Sequence, residues 1–224
     1  MELTRAEYKF LITYDDYIKL KFQLSHIMTL DAHADTSSSD YHLTSIYYDD
    51  LMDTHLFEKS DGLEYHQKYR VRFYSTGDTR LEYKTKIGNM TSKRSLWLSN
   101  ELTKAILERD YEILYRHLDQ ELIENIVVRM KLDDLKPTLI IEYDREAFVY
   151  PQGDVRITFD KALTARRFDQ DIAYERKLYE PKYMILEVKY TGLLPDFIRS
   201  IVFFKNFQPV SFSKYYTGWL TTIY

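Results

Sequence analysis

Lysine and arginine side chains recur at every second residue along several segments of the chain, a spacing that directs them to one face of a β-strand. In the segment Tyr65–Ser75, for example, Lys68, Arg70 and Arg72 share one face. Four further segments show the same alternation of charged and apolar residues. Across the five polar faces the basic residues are Arg5, Lys9, Lys68, Arg70, Arg72, Lys84, Lys86, Arg156 and Lys189, and the acidic residues are Glu7, Glu82, Asp160 and Glu187. Guanidinium forks and ammonium groups gathered on one surface are suited to bind phosphate or another polyanion.

This segregation of charge has two interpretations. The faces carry an excess of five positive charges, although the whole protein has a formal net charge of −4. One interpretation is the solvated outer face of an ordinary sheet. The other is a closed sheet whose charged residues line the interior, since like charges on neighbouring strands repel unless an anion compensates them. Eight strands enclose an interior that can hold one ligand, and a few carboxylates there could hold a divalent cation.

The elements that must position these side chains are strands in runs with helices between them. Period-two alternation predicts eight strands: Arg5–Ile12, Tyr41–Asp49, Tyr65–Ser75, Arg80–Ile87, Leu139–Tyr150, Val155–Asp160, Met184–Tyr190 and Val210–Lys214. Helical spacing predicts helices at Asp15–Leu30, Asn100–Asn125, Leu194–Phe204 and Tyr216–Ile223. The pattern indicates an α+β fold with an antiparallel sheet.

Composition excludes several classes of site. The chain of 224 residues has no cysteine, so disulfides and thiolate chemistry are excluded, and it has neither a GxGxxG nor a GxxxxGK[ST] motif. The negative net charge disfavours a nucleic-acid binder. With no apolar run of 18 residues and a charged start, we expect no membrane span and no signal peptide. We therefore predict a single cytoplasmic domain over residues 1–224.

Nine short motifs in order resemble a known family over about residues 3 to 219. They are Arg5-Ala6-Glu7-Tyr8-Lys9, Ile46-Tyr47-Tyr48-Asp49-Asp50, Tyr69-Arg70-Val71-Arg72-Phe73-Tyr74, Leu81-Glu82-Tyr83-Lys84-Thr85-Lys86, Ser92-Lys93-Arg94, Glu142-Tyr143-Asp144-Arg145, Val155-Arg156-Ile157-Thr158-Phe159-Asp160, Leu186-Glu187-Val188-Lys189 and Phe212-Ser213-Lys214-Tyr215. The series resembles the VTC domain, the polyphosphate polymerase domain of the vacuolar transporter chaperone complex. That domain belongs to the triphosphate tunnel metalloenzymes, which are relatives of the CYTH proteins.

The resemblance implies an eight-stranded antiparallel β-barrel, the triphosphate tunnel, with helices outside and at one mouth. It implies a transfer of the γ-phosphoryl group of ATP to a growing polyphosphate chain, with Mn²⁺ or Mg²⁺ as cofactor. The implied catalytic residues, which hold the triphosphate of ATP, are Arg70, Arg72, Lys84, Arg145 and Arg156. The implied further phosphate-binding residues are Lys9, Lys93, Lys189 and Lys214, and the implied metal ligands are Glu187 and, through water, Glu7.

Two alternatives to the polymerase stay open. One is a triphosphatase with water as the acceptor, and the other is a module that binds polyphosphate or nucleotide without turnover. Tunnel enzymes of the CYTH type often begin with ExExK, but Arg5 replaces the first glutamate here, which weakens the case for two metals. The implied ligands are ATP, polyphosphate or triphosphate rather than nucleic acid. Synthesis coupled to translocation would need a membrane-protein partner in trans.

Individual residues also have purely structural interpretations. Glu82 could pair with Arg70 and Arg72 across neighbouring strands. Glu187 could form only a salt bridge with Lys189. The remaining cases are Lys93 and Lys214, which fall at predicted strand edges or in loops, and Arg145, which strict alternation groups with Ile141 and Tyr143 unless a bulge intervenes.

Overall fold

The structure, a computed structural model, describes residues 5–32, 39–60, 63–88 and 90–223. The strands are β1 (Arg5–Thr13), β2 (Thr29–Leu30), β3 (Asp40–Asp49), β4 (Tyr65–Tyr74), β5 (Thr79–Ile87), β6 (Met90–Leu98), β7 (Lys136–Tyr150), β8 (Val155–Arg167), β9 (Arg176–Lys177) and β10 (Tyr183–Thr191). The α-helices are α1 (Tyr14–Leu24), α2 (Thr54–Ser60), α3 (Asn100–Glu108), α4 (Tyr111–Leu114), α5 (Glu121–Leu132), α6 (Asp196–Val202) and α7 (Lys214–Ile223). No helix among the described residues is long and apolar enough to cross a membrane.

The chain divides into two compact units. Unit 1 comprises residues 1–42, 142–164 and 177–213, and unit 2 comprises residues 43–141, 165–176 and 214–224. The single-domain assignment of residues 1–224 stays a prediction.

In unit 1 the strands are neighbours in the order β1, β10, β8 and β7, and the registers of β1 with β10 and of β10 with β8 are antiparallel. One face of this sheet packs on helices α1 and α6 through residues such as Phe10, Leu186 and Phe159, which are at most 1% exposed. Helix α1 begins at a capping box in which the Thr13 hydroxyl accepts from the Asp16 backbone N–H, while the Asp16 carboxylate accepts from Thr13. The other face carries the charged residues.

In unit 2 the strands β3, β4, β5 and β6 follow one another as antiparallel neighbours. Their apolar face includes Tyr69, Val71 and Leu81, which pack in one buried cluster with Ile106 of α3 and Ile123 of α5. Alternation then places the charged residues of β4 and β5 on the opposite face.

The predicted α+β class with eight long antiparallel strands and packed helices is confirmed, but two strand assignments were wrong. Met90–Leu98 forms β6, which the sequence did not predict because its residues 90–95 and 97 are exposed and show no apolar alternation. The predicted strand Val210–Lys214 is irregular up to Ser213, and Lys214 begins α7.

Three of the four predicted helices were too long, whereas the predicted helix Tyr216–Ile223 was too short because α7 begins at Lys214. The predicted helix Asp15–Leu30 ends at Leu24. The predicted helix Asn100–Asn125 breaks where Arg109 adopts a left-handed conformation (φ 59°) and Asp110 caps α4 by accepting from the backbone of Glu112 and Ile113. Short helix α2 was not predicted.

Helix α7 approaches the sheet of unit 2 closely at Gly218, a small residue inside the helix. A Cβ atom at this position would lie 2.3 Å from Cδ1 of Ile141 and 3.2 Å from Cβ of Ala165. The helix therefore packs closer than any residue with a side chain would permit.

We expect Gly218→Ala to lower the free energy of unfolding by about 1–3 kcal/mol, because overpacking outweighs the gain in helix propensity. Denaturant unfolding measures this change, with Thr222→Ala on the same helix as the control. A stabilised Gly218→Ala protein would show that α7 packs more loosely than described.

Candidate functional site

Five cations gather on the charged face of unit 2, and we call them the basic cluster: Lys68, Arg70, Arg72, Lys84 and Lys93. Glu82, which is 2% exposed, lies on the same face. Arg70 Nε donates to Glu82 Oε2 at 2.5 Å, Arg72 Nη1 lies 3.8 Å from the same oxygen, and Lys93 Nζ contacts Oε1. The structure therefore contains the ion pairs of Glu82 with both arginines that the sequence analysis considered. Because Glu82 carries one negative charge, this pairing still leaves the cluster strongly positive.

Further contacts fix the orientation of the two guanidinium groups. Arg70 Nη1 donates to the Tyr47 hydroxyl at 3.1 Å, and Arg72 Nε donates to Ser45 Oγ at 3.3 Å. Burial would raise the pKa of Glu82, but Arg70, Arg72 and Lys93 outweigh it and hold that pKa far below its usual value. Glu82 therefore stays ionised and acts as a positioning residue, which sequence reasoning had considered only as a structural partner.

Three lysines stand directly opposite one another on adjacent strands. Lys84 of β5 faces Lys68 of β4 on one side and Lys93 of β6 on the other. Like charges in such positions repel. A polyanion bound on this face would reduce the repulsion among the three ammonium groups.

Lys93 would make the binding of an anion on this face dependent on pH. Partial desolvation of its ammonium group, followed by Arg70 and Arg72, lowers the pKa of Lys93 to about 8 although Glu82 acts in the opposite direction. A bound anion favours the protonated lysine. Its contribution to affinity is thus complete below pH 8 and decreases as the pH rises above that value.

We expect the affinity of the wild-type protein for tripolyphosphate to fall about tenfold more between about pH 7 and pH 9.5 than that of Lys93→Arg, which stays charged. Calorimetric titration at the two pH values provides the comparison. Parallel pH profiles for the two proteins would rule out this role of Lys93.

Unit 1 carries a different arrangement, which we call the carboxylate cluster: Glu7, Lys9, Glu187 and Lys189 on β1 and β10. Lys189 Nζ lies 2.9 Å from Glu187 and 3.9 Å from Glu7, and Lys9 Nζ lies 3.0 Å from Glu7 and 3.7 Å from Glu187. Each carboxylate thus contacts both lysines, which confirms the predicted contact of Glu187 with Lys189 and brings both implied metal ligands together.

Arg145 lies beside this cluster in a buried ion pair. Its Nε and Nη2 donate to the two carboxylate oxygens of Asp160 at 2.6 and 2.8 Å, and Nη2 lies 4.0 Å from Glu187. Asp160 is fully buried, and its charge keeps the pKa of Arg145 high although burial acts to lower it. The guanidinium also lies 5.3 Å from the Tyr143 ring, so Arg145 and Tyr143 share a face, as strict alternation predicts.

Arg156 belongs to the same unit. Its Nη2 lies 2.8 Å from Asp31 Oδ2 and donates to the Tyr41 hydroxyl at 3.1 Å. The cations Lys9, Arg145, Arg156 and Lys189 are thus matched by the carboxylates Glu7, Asp31, Asp160 and Glu187. The positive excess predicted from the sequence therefore lies mainly in unit 2.

The residues around Glu187 fit a divalent cation that keeps other oxygen ligands. Thr158 stands directly opposite Glu187 in the strand register, and its buried hydroxyl has no hydrogen-bond partner among the described residues. Carboxylate and hydroxyl oxygens suit Mg²⁺ or Mn²⁺. No group of three or more His, Asp or Glu residues that could hold a metal occurs in the described part of the chain. Glu187, Thr158 and Glu7 would thus need water or phosphate oxygens to complete the coordination.

Lys214, the remaining predicted phosphate ligand, begins α7 in unit 2. The next residue, Tyr215, stacks on Tyr47 with ring centroids 5.1 Å apart, and Lys68 Nζ lies 5.6 Å from the Tyr215 ring. The Tyr215 hydroxyl donates to buried Asp49 at 2.6 Å, which anchors the start of the helix. Lys214 therefore lies at a helix terminus rather than at a strand edge.

Comparison with solved structures defines the class of fold. A protein from Hippeastrum, HpAC1, named as an adenylyl cyclase candidate with a dominant triphosphatase activity, has a TM-score of 0.56 at 11% identity, with 98% of this chain and 96% of that chain covered. An adenylate cyclase candidate from Bacillus halodurans has a TM-score of 0.52 at 14% identity, with 95% and 96% covered. The chain therefore has the triphosphate tunnel, or CYTH-like, fold.

Within this class, the sequence profile described as "VTC domain" matches residues 4–223. The chain belongs to the VTC domain family. No curated protein has a matching sequence. The resemblance inferred from the nine motifs is thereby confirmed.

Proposed function

We propose that the chain is a polyphosphate polymerase that transfers the γ-phosphoryl group of ATP to a growing polyphosphate chain. The observation that carries the proposal is the basic cluster, whose five cations share a face with a single buried carboxylate, Glu82. Membership in the VTC domain family supports it. Such a surface matches an extended chain of phosphates better than it matches a single anion.

The proposed reaction needs no side-chain nucleophile. A terminal oxygen of the acceptor polyphosphate forms a bond to the γ-phosphorus while the bond from that phosphorus to the β,γ-bridging oxygen breaks, so that ADP leaves. Catalysis of this transfer depends on positioning and on neutralisation of the phosphate oxygens. Arg70 and Arg72, already oriented by Glu82, Tyr47 and Ser45, bind these oxygens as bidentate forks, and Lys84 and Lys93 add point charges.

The carboxylate cluster supplies the second requirement of the proposal. Glu187, with Thr158 and Glu7, would hold Mg²⁺ or Mn²⁺, which would supply charge neutralisation and Lewis acidity to a phosphate bound at unit 1. Arg145 and Arg156 of unit 1, each held by an aspartate, are proposed as further phosphate-binding residues. Lys9 and Lys189 release the carboxylates and bind phosphates of the acceptor.

A triphosphatase is the second candidate function, with water in place of the acceptor. It is favoured by the fold shared with HpAC1, which is named for a dominant triphosphatase activity. Binding of the triphosphate would use the same residues. The two functions differ in the product that carries the γ-phosphorus.

An assay of the products distinguishes the polymerase from the triphosphatase. The purified protein is incubated with ATP and Mn²⁺, polyphosphate is resolved on a gel, and orthophosphate is assayed in parallel. Arg70→Gln is the test variant, since Arg72 is only 6% exposed and a glutamate there would add a second buried carboxylate beside Glu82. Arg94→Gln on β6, whose arginine pairs with Glu121, is the matched control.

We expect a polyphosphate ladder with wild-type protein and Arg94→Gln and none with Arg70→Gln. Orthophosphate without a ladder would replace the polymerase by the triphosphatase. If neither polyphosphate nor orthophosphate forms but tripolyphosphate raises the melting temperature, the protein is a binding module and not an enzyme.

A further inference from the structure

An arginine packs against two aromatic rings on the charged face of unit 2, in the row that also contains Arg72 of the basic cluster. Arg80 of β5 stands directly opposite Arg72 of β4 and Trp97 of β6. Its guanidinium carbon lies 3.7 Å from the Trp97 ring centroid and 6.0 Å from that of Tyr74. The Trp97 and Tyr74 rings are 5.9 Å apart and inclined at 53°. We call Tyr74, Arg80 and Trp97 the aromatic platform.

The position of the platform follows from strand geometry. Arg80 is two residues before Glu82 on β5, so the platform lies about 7 Å along the strand from the row that contains Glu82 and Arg70. Trp97 pairs with Arg80 as Ser95 pairs with Glu82, which places all of these side chains on one face. The platform therefore shares its row with Arg72 and lies next to the row of Arg70 and Glu82 on the charged face.

The chemistry changes at this row. The Glu82 row and the row of three lysines carry charged groups that suit phosphate oxygens, whereas the platform offers flat aromatic and guanidinium surfaces. Trp97 is 49% exposed, although tryptophan is usually well buried. Planar aromatic and guanidinium groups stack on nucleobases largely without regard to base identity.

We propose that the aromatic platform binds the base of a nucleoside triphosphate whose phosphates occupy the basic cluster. A nucleoside triphosphate likewise has a flat base at one end and charged phosphates at the other, with one ribose between the base and the first phosphate. The base stacks on the Trp97 and Arg80 planes, while Arg72 and Arg70 bind phosphate oxygens. The proposal rests on the proposed function, because it assumes that the basic cluster holds the triphosphate. It adds the contacts by which the protein distinguishes the donor nucleotide from polyphosphate, which has no nucleoside.

The test compares two ligands that differ by the nucleoside: tripolyphosphate and the ATP analogue with an imido group in place of the β,γ-bridging oxygen. Trp97→Ala should weaken binding of the analogue by about 5- to 150-fold, the loss typical of one stacked base, and leave tripolyphosphate affinity unchanged. Trp97→Phe should restore part of the loss. Calorimetric titration gives both affinities, and thermal melting confirms that the variants fold.

The fluorescence of Trp97 reports directly on whether a base stacks on its ring. The protein has two tryptophans, so Trp219→Phe leaves Trp97 as the sole tryptophan fluorophore. We expect the analogue to quench this fluorescence and tripolyphosphate to leave it nearly unchanged. Equal quenching by the two ligands, or equal effects of Trp97→Ala on their affinities, would overturn the platform while leaving the triphosphate site intact. Failure of the wild-type protein to bind either ligand would overturn the proposed function and the platform together.

Discussion

Asp160→Asn is expected to lower the free energy of unfolding by about 3–5 kcal/mol, because it removes the carboxylate that neutralises a buried guanidinium. Arg145 is 8% exposed and forms both of its bidentate hydrogen bonds with Asp160, which is 0% exposed. Asparagine keeps the shape of the side chain but leaves the nearly buried cation without its closest counter-charge. Denaturant unfolding at neutral pH measures the loss.

The control for this prediction is Asp144→Asn on the same strand as Arg145. Asp144 is 45% exposed and pairs with His42, so its replacement should cost less than about 1 kcal/mol. If the two variants lose similar free energies of unfolding, the ion pair of Arg145 with Asp160 contributes less to stability than its geometry indicates.

Glu187→Gln is expected to lower turnover of ATP by about 100- to 1000-fold while the protein stays folded, because under the proposed function it removes the carboxylate that would hold the divalent cation. Glu187 contacts Lys9, Lys189 and Arg145 and stands opposite Thr158 in the strand register. The neutral amide binds a divalent cation more weakly than the carboxylate does. The concentration of Mn²⁺ needed for half-maximal activity should therefore rise in this variant.

Glu180→Gln is the matched control, since this exposed carboxylate pairs with Lys182. Its turnover and its Mn²⁺ requirement should equal those of the wild-type protein. A Glu187→Gln enzyme with normal turnover, or with reduced turnover at an unchanged Mn²⁺ requirement, would remove Glu187 from the proposed metal site.

The charged faces are predictable from the sequence, because period-two alternation is strong where one face of a strand is buried. On β4, Tyr69 and Val71 are at most 1% exposed while Arg70 points to the other face, and this contrast is visible in the residue types. The same holds for β10 with Leu186 and Glu187. Most of the candidate site residues lie on strands of this kind, so alternation places them on the charged faces, whereas their proposed roles come from the resemblance to the VTC domain family.

Sequence reasoning failed where the local pattern carried no apolar contrast. Strand β6 presents polar residues on both faces, so Lys93 was expected at a strand edge or in a loop but lies within a strand opposite Lys84. The helix break at Arg109 depends on a left-handed backbone that no residue type there requires. The role of Glu82 and the position of the Thr158 hydroxyl depend on neighbouring strands, which alternation within one strand cannot reveal.

Direct titration of the protein with tripolyphosphate tests the central claim that the basic cluster binds a chain of phosphates. We predict that wild-type protein and Arg94→Gln bind with equal affinity and that Arg70→Gln binds at least about tenfold more weakly, the loss expected for a hydrogen bond between charged groups. Arg94 is a suitable control because it lies on a strand that also carries a cluster residue but pairs with Glu121. Absence of binding by the wild-type protein, or an equal loss in both variants, would contradict the account.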